Sequence, residues 1–371
     1  MKLPSIKKVH APLKFKNNSI RIGTVHYGVG SEIQDDDGAI WQLLELMDGS
    51  RTHDQIIANF LQNNPDWDRD SIHQSIDTLI EGGFVEDGAI PIPENLTSAE
   101  LNRYNRSADY FAWIDTQPRT SPFEIQSRLK NSRVTVLGLG GIGSAVTMGL
   151  AAAGVGSIYC VDFDIVEESN LNRQLLYTEE DIGLPKVEQA VKRLKQLNSH
   201  IAIDGENLKV DSSESLHEIM SKGDLFILCA DRPIHHIQRW TNDAAISNQI
   251  PWMMCLYAGP MAVVGTFIPG KTPCYRCFAQ NENIKKEEPT HWLYDPYQFP
   301  NAVIAPTAAI SGHFACMEAI YYLGDLKPQT IGRIFHQNLM IYEHNYYVEA
   351  PFWQDCPACG SPAAPDKEKD G

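Results

Sequence analysis

The sequence predicts an α/β protein, a doubly wound parallel sheet preceded by an N-terminal winged-helix-like module of α+β type. Three observations carry that expectation. From Arg133 onward, buried apolar runs of strand length alternate with amphipathic helical stretches. A glycine-rich turn, Gly138-Leu139-Gly140-Gly141-Ile142-Gly143, joins the first of those strands to the first of those helices. Ahead of them, residues 1–95 carry short strands, three short helices and a terminal strand.

Element by element, Ile20, Ile22 and Thr24 alternate against Val25, Tyr27 and Val29, which reads as short strands around a glycine-rich turn. Asp37 caps a helix with Ile40, Leu43, Leu44 and Met47 on one face, stopped by Gly49. Thr52 and Gln55 form a capping box for a second helix bearing Ile56, Ile57, Phe60 and Leu61. The third helix, Asp68 to Glu81, buries Ile72, Ile76, Leu79 and Ile80, ends at Gly82-Gly83 and leads into a strand at Phe84-Val85. Gly88 to Pro93 reads as a linker, so the division expected is 1–95 and 96–371. In the second part the strands are Val134–Leu137, Ile158–Val161 and Leu225–Cys229, and the helices Ile142–Ala153 and Lys186–Leu197.

Composition narrows the function. The 371 residues, 43% hydrophobic and 21% charged, are globular in type and enough for roughly two or three domains. A net charge of −16 opposes a broad electrostatic grip on nucleic acid or anionic lipid, so neither nucleic acid nor membrane is an expected partner. Winged helices often bind DNA, but the third helix sets Asp68, Asp70, Asp77 and Glu81 against Arg69 alone. The basic start (Lys2, Lys7, Lys8, Lys14, Lys16) has no apolar run behind it, and Ala145–Val155 is too short to span a bilayer. A soluble, cytoplasmic protein is the expectation.

The glycine turn lets backbone approach a phosphate at a helix N-terminus, and Asp162 at the end of the second strand can accept from ribose hydroxyls. Those features alone would suit NAD(P). The segment from Asp162 to Gln174, followed by Gly183-Leu184-Pro185-Lys186, adds Arg173 and Lys186, cations that a triphosphate needs. Asp231, just past the third strand, is a natural Mg²⁺ ligand. Cys274-x-x-Cys277 and Cys356-x-x-Cys359 supply four thiolates for a closed tetrahedral zinc site clamping two distant segments, with a redox pair as the alternative. Cys160, Cys229, Cys255 and Cys316 sit in apolar patterns as small buried hydrophobes, and His235-His236 read as helix-surface residues.

Together these residues resemble, in order, the E1-like ThiF/MoeB adenylation family, which also has a counterpart of Arg103-Tyr104-Asn105-Arg106. The resemblance implies a Rossmann-like E1 adenylation domain using ATP, Mg²⁺ and Zn²⁺. It implies that Gly138, Gly140, Gly141 and Gly143 form the nucleotide loop, that Asp162 and Asp164 hold the ribose, and that Asn170, Arg173, Gln174 and Lys186 line the phosphates. Asp231, Arg173, Lys186 and Arg106 are then the catalytic set, Arg106 reaching the nucleotide of the other subunit of a homodimer. Thioester-forming relatives place a cysteine between the first zinc pair and the following helix. Here Phe278 to Pro306 has none, but does have Glu282, Lys285, Lys286, Glu287, Glu288, His291, Trp292, Tyr294, Asp295 and Tyr297, which read either as a lid over a peptide or as a surface excursion.

The runs DDDGAIWQLLELMDGSRTHDQIIANF and LIEGGFVED resemble the PqqD-type domains that hold a leader peptide by strand addition. The alternative is a module that only supports the enzyme body or a dimer. The whole layout resembles enzymes that modify ribosomal precursor peptides in peptide-antibiotic biosynthesis. It implies activation of a peptide carboxyl, with pantocin A-type glutamate side-chain activation and cyclisation favoured and microcin C-type C-terminal nucleotidyl transfer as the alternative. Adenylation of a ubiquitin-like sulfur carrier, a non-catalytic nucleotide- and peptide-binding protein, and an NAD(P) oxidoreductase remain further alternatives.

Overall fold

The computed structural model describes residues 1–23, 30–89, 91–119, 121–234, 236–285 and 302–360, the side chains of 282–285 excepted. Thr24, Val25, Tyr27, Val29, His235 and the expected lid residues from Lys286 to Tyr297 lie outside the described residues. The chain divides into two compact units, Met1–Arg128 and Leu129–Gly371.

The first unit runs β1 (Pro4–Ile6), β2 (Leu13–Lys14), β3 (Ser19–Ile22), β4 (Ser31–Gln34), α1 (Ala39–Leu46), α2 (His53–Asn63), α3 (Arg69–Glu81), β5 (Val85–Asp87) and α4 (Ser98–Ile114). Antiparallel strands in the order β2-β3-β4 make one sheet, and β1 pairs with β5 in another. Ile20, Ile22, Leu43, Ile56, Phe60 and Ile76 fill the core between them and the helices. The Thr52–Gln55 capping box forms, and Asp68 caps α3. The cap of α1 differs from expectation. Asp37 reaches the Ala39 N–H at 3.1 Å, but the N–H groups of Ile40 and Trp41 donate to the Asp35 carboxylate at 2.9 and 3.2 Å, with Gly38 at the N-cap in the left-handed region (φ 79°). α4 opens on a second capping box, Thr97 with Glu100. Beyond its C-terminal end, Lys7 Nζ donates to the Asp115 carbonyl at 2.8 Å, a cation placed where the helix dipole favours it, and His10 Nε2 donates to the Ala112 carbonyl at 3.2 Å.

α5 (Glu124–Asn131) leads into β6 (Arg133–Leu137), α6 (Gly141–Ala153), β7 (Ser157–Val161), α7 (Lys186–Leu197), β8 (Ala202–Glu206), α8 (Glu214–Met220), β9 (Leu225–Leu228) and α9 (Ile237–Asn248). β10 (Trp252–Ala258), β11 (Met261–Phe267), α10 (Tyr275–Lys285), α11 (Ala305–Leu323), β12 (Ile334–Asn338) and β13 (Asn345–Val348) complete it. One eight-stranded sheet has the order β13-β12-β11-β10-β9-β6-β7-β8. β10 through β8 are parallel, and β11, β12 and β13 extend the sheet antiparallel. This is the mostly parallel, doubly wound, Rossmann-like sheet expected from the alternating pattern.

Chain direction across the sheet reverses between β6 and β9, because β6 leads outward to β7 and β8 while β9 leads the other way to β10. A ligand crevice opens at the carboxyl ends of strands at such a switch point. One face carries a core of Leu228, Phe226, Trp252, Met254 and Phe267. On the other, α6 and α11 pack through small residues: a Cβ on Gly149 would stand 2.6 Å from Cys316 Sγ, and one on Gly312 2.6 Å from the Ile142 carbonyl. That close packing brings the first turn of α11 to the first turn of α6, where a Cβ on Gly141 would meet Ala308 Cβ at 2.8 Å.

Candidate nucleotide site and four-cysteine cluster

The glycine turn lies at the switch point, between the end of β6 and the start of α6. Two glycines are sterically obligatory. Gly138 has φ 92° and backs onto the chain after β9, so a Cβ there would sit 2.7 Å from Ala230 N, while one on Gly143 would overlap the Gly138 carbonyl. Gly140 differs, because a Cβ there would meet, among the described residues, only Gln174 Nε2, at an ordinary contact distance of 3.7 Å.

The turn is held from behind. Leu139 donates its N–H to Asp162 Oδ2 at 2.6 Å, and its carbonyl accepts from Tyr177 Oη at 3.0 Å and Ser144 Oγ at 3.2 Å. Asp162 Oδ1 accepts from the Asp164 N–H at 2.8 Å. Asp162 is buried, and burial raises its pKa above the ordinary 3.8, against the pull of Lys186 and the two N–H bonds. Its carboxylate thus shapes the loop from within. Asp164, exposed one turn on, is the carboxylate facing outward, and Lys186 Nζ, itself buried, pairs with it at 3.0 Å.

Asn170 is buried and accepts from the Glu167 N–H through its side chain at 3.2 Å, which fixes the short turn carrying Arg173. Arg173 Nη1 donates to the Ser169 carbonyl and Asn172 Oδ1, and Arg173 itself lies against Gly141. Gln174 is 3% exposed, and its Oε1 is buried with no hydrogen-bond partner among the described residues. A buried acceptor left open beside the glycine turn fits a ligand that brings its own donors. Asp231 is exposed just beyond β9. Burial raises the pKa of Tyr257 on β10, with Arg173 acting against the rise and Asp231 with it.

The second unit therefore gathers Gly138, Gly140, Gly141, Gly143, Asp162, Asp164, Asn170, Arg173, Gln174, Lys186 and Asp231 around the carboxyl ends of β6, β7 and β9. Arg106 is exposed on α4 of the first unit. Ser144 and Tyr177 are additions that sequence reasoning missed. Both act on a backbone carbonyl, so no spacing announces them.

The four sulfurs of Cys274, Cys277, Cys356 and Cys359 lie within 4.8 Å of one another, with neighbouring pairs at 3.6 to 3.8 Å. A tetrahedral ZnS₄ centre with Zn–S near 2.3 Å has S···S edges of about 3.8 Å. The donor set and spacing fit zinc. Trp353 N–H points at Cys277 Sγ at 3.5 Å, and Asp243 holds Arg276 beside the cluster through two hydrogen bonds, that to Nε at 2.8 Å. Cys160, Cys255 and Cys316 are buried as expected; Cys229, at the crevice, is only partly so.

A switch-point crevice with a glycine loop, two cations and an outlying aspartate, joined to a closed four-thiolate cluster, defines a nucleotide-using α/β enzyme. The model of the ThiF family matches residues 113–358, and the chain belongs to that family. It is 32% identical over 251 residues to the molybdopterin-synthase adenylyltransferase of Escherichia coli K12, covering 66% of this chain and 91% of that protein. It is thus an ATP-dependent adenylating enzyme of ThiF/MoeB type. In fold it is similar to E. coli MccB, with TM-score 0.79, 22% identity and 97% of each chain covered. MccB has also been crystallised with ATP and, as the microcin C7 biosynthetic enzyme, with N-formylated MccA. The crystal structure of PaaA is similar too, with TM-score 0.69, 24% identity, and 93% of this chain and 99% of that one covered.

Proposed function

We propose that the enzyme activates a carboxyl group of a ribosomally made precursor peptide, which it binds through the peptide's leader. The observation that carries this reading is coverage. The adenylyltransferase relative accounts for 66% of the chain, whereas the likeness to MccB takes in 97% and so includes the first unit. Leader recognition is assigned to residues 1–95. There β4 is one of the two edge strands of its sheet among the described residues. Asp35 N–H pairs inward with the Asn18 carbonyl, so by alternation the N–H and C=O groups of Glu32 and Gln34 face outward, ready for an added strand.

In the reaction, a carboxylate oxygen of the peptide attacks the α-phosphorus of ATP. A C–O–P bond forms, the bond from the α-phosphorus to the bridging oxygen breaks, and the electron pair leaves with pyrophosphate. Gly140 and the first turn of α6 receive the phosphates, Arg173 and Lys186 meet their charge, Asp164 with Asp162 faces the ribose, and Asp231 holds Mg²⁺. Zinc in the four-cysteine cluster is structural. Arg106 enters from a second subunit, and exposed Ile165, Leu175, Ile182 and Leu184 beside the crevice supply an apolar surface for such a homodimer. Among the described residues no helix is long and apolar enough to cross a membrane.

Intact-mass analysis of candidate precursor peptides incubated with enzyme and Mg-ATP tests the reading. Loss of water from the peptide supports the pantocin A-type outcome of glutamate activation and cyclisation. Gain of a nucleotide monophosphate places the enzyme with microcin C-type transferases. The identity to molybdopterin-synthase adenylyltransferase favours a second reading, adenylation of a sulfur-carrier protein. Unchanged peptides together with carrier-dependent ATP–pyrophosphate exchange would establish it.

A further inference from the structure

The four-cysteine cluster is built unevenly, and the difference lies in what stands behind each pair. α9 belongs to the packed body of the second unit, with Ile237, Ala244 and Ala245 in its core. From that helix Asn242, wholly buried, accepts from the Tyr275 N–H through Oδ1 at 2.8 Å. Its neighbour Asp243 accepts from both Nε and Nη2 of Arg276, the former at 2.8 Å. Asn242 Nδ2 in turn donates to Asp243 Oδ1 at 3.2 Å, and Ile246, one turn on, packs against the cluster. Tyr275 and Arg276 are the two residues between Cys274 and Cys277, so the first pair is gripped at its centre, through backbone and side chain together. The second pair is held within its own turn, by bonds from the Cys356 N–H to the Trp353 carbonyl and from the Gly360 N–H to the Cys356 carbonyl, each at 3.0 Å.

We propose that Asn242 and Asp243 are positioning residues for the metal: they hold the Cys274–Cys277 turn in its ligating shape before the ion arrives, a preformed half-site over which Cys356 and Cys359 close. The inference rests on the reading that the cluster holds zinc. Ordering a ligand turn in advance removes its conformational cost from the binding step, and affinity rises accordingly. Asn242 acts through the Tyr275 N–H. Asp243 acts through Arg276, whose planar guanidinium meets a carboxylate at two points and so fixes the direction of the turn. A zinc ion with four thiolates carries net negative charge, and the same pairing keeps a cation on the chain between two of its ligands.

Zinc affinity, measured by competition with a chromogenic chelator, and the visible spectrum of the Co²⁺-substituted enzyme test the proposal, with melting temperature as the control for folding. Asp243→Asn keeps the shape of the side chain and turns one acceptor into a donor facing Nη2. Its side chain is 30% exposed, so the fold is expected to survive the change. We expect zinc affinity to fall by about 10-fold or more in Asp243→Asn and in Asn242→Ala, with a shifted cobalt spectrum in both. In an Arg276→Ala background, Asp243→Asn should cost nothing further. A purely structural role would lower the melting temperature and leave zinc affinity and cobalt spectrum at their wild-type values; that result would overturn the proposal, as would losses that multiply in the double variant. Should Asn242→Ala fail to fold, the cycle through Asp243 and Arg276 decides alone. A wild-type enzyme that takes up neither zinc nor cobalt at the cluster would overturn the zinc reading, and the proposal with it.

Discussion

Asp162 carries its charge where water is scarce, and the reason lies in the loop it holds. Replacing it with alanine strands the N–H groups of Leu139 and Asp164, each otherwise bonded to the carboxylate. A buried donor left unpaired costs about 1–3 kcal/mol, so Asp162→Ala should lower the melting temperature and weaken ATP binding together. The pH dependence has a definite sign. A carboxyl whose folded pKa is raised above 3.8 contributes most stability below that value, and the contribution declines as pH rises through the folded value. The stability of the wild type relative to Asp162→Asn, compared by thermal unfolding, should therefore fall with rising pH; a flat difference would show the carboxyl to be unperturbed. Asp231 is the opposite case, exposed and bonded to no part of the loop. Asp231→Ala should abolish ATP turnover and leave zinc content and melting temperature unchanged, and unaltered turnover would remove it from the mechanism. Gly138 and Gly143 were legible because steric demand at a strand-to-helix turn is local. Tyr177 was not, because the carbonyl it serves is at residue 139, far away in sequence.

Among the elements, β4 and the C-terminal end of α4 carry the testable consequences. Glu32→Pro removes an outward N–H from β4 while sparing the inward bonds to β3. The expected result is a raised KM for a full-length precursor with kcat retained; an unchanged KM would place leader binding elsewhere. At α4, burial, and then Lys7, hold the His10 pKa below the ordinary 6.5. The unfolded chain therefore binds the proton more readily, and stability drops as pH falls below about 6.5 toward the folded value. His10→Gln should flatten that part of the pH–stability curve in thermal unfolding, and an unchanged slope would show that His10 is not its source. The periodic elements of the sheet, β6, α6, β7, α7 and β9, were legible because strand and helix periods were clean. β4 was not, since its Ser-Glu-Ile-Gln offers one apolar residue to the core. The α1 cap was assigned to Asp37 because it stands nearest the helix, whereas Asp35 is carried back to it by a left-handed Gly38.

At the scale of the whole molecule, the cysteine cluster closes a long stretch of chain. The first pair flanks the start of α10, and the second lies after β13, 82 residues on, with α11, β12 and β13 between. Few apolar residues back the second pair: Trp353 and Ala358 pack on the cluster, along with Ile246 of α9. A metal held by the four thiolates would then supply most of what fastens residues 349–360 to the body, because four thiols alone would leave a small, poorly filled core. Pairing legible in the sequence here reflects a strict requirement, four sulfurs converging on one ion, whereas the segments between them were free of any such signature. Chelation, or Cys356→Ser, should release the zinc and lower the melting temperature by several degrees. At a temperature where the variant stays folded, Mg-ATP binding should persist, since no cluster residue reaches the glycine turn. Metal analysis beside thermal unfolding and ATP titration decides it. A Cys356→Ser enzyme that keeps a full complement of zinc and the wild-type melting temperature would show that the clamp does not hold the C-terminal segment, and loss of ATP binding in the folded variant would show that the cluster serves the crevice as well.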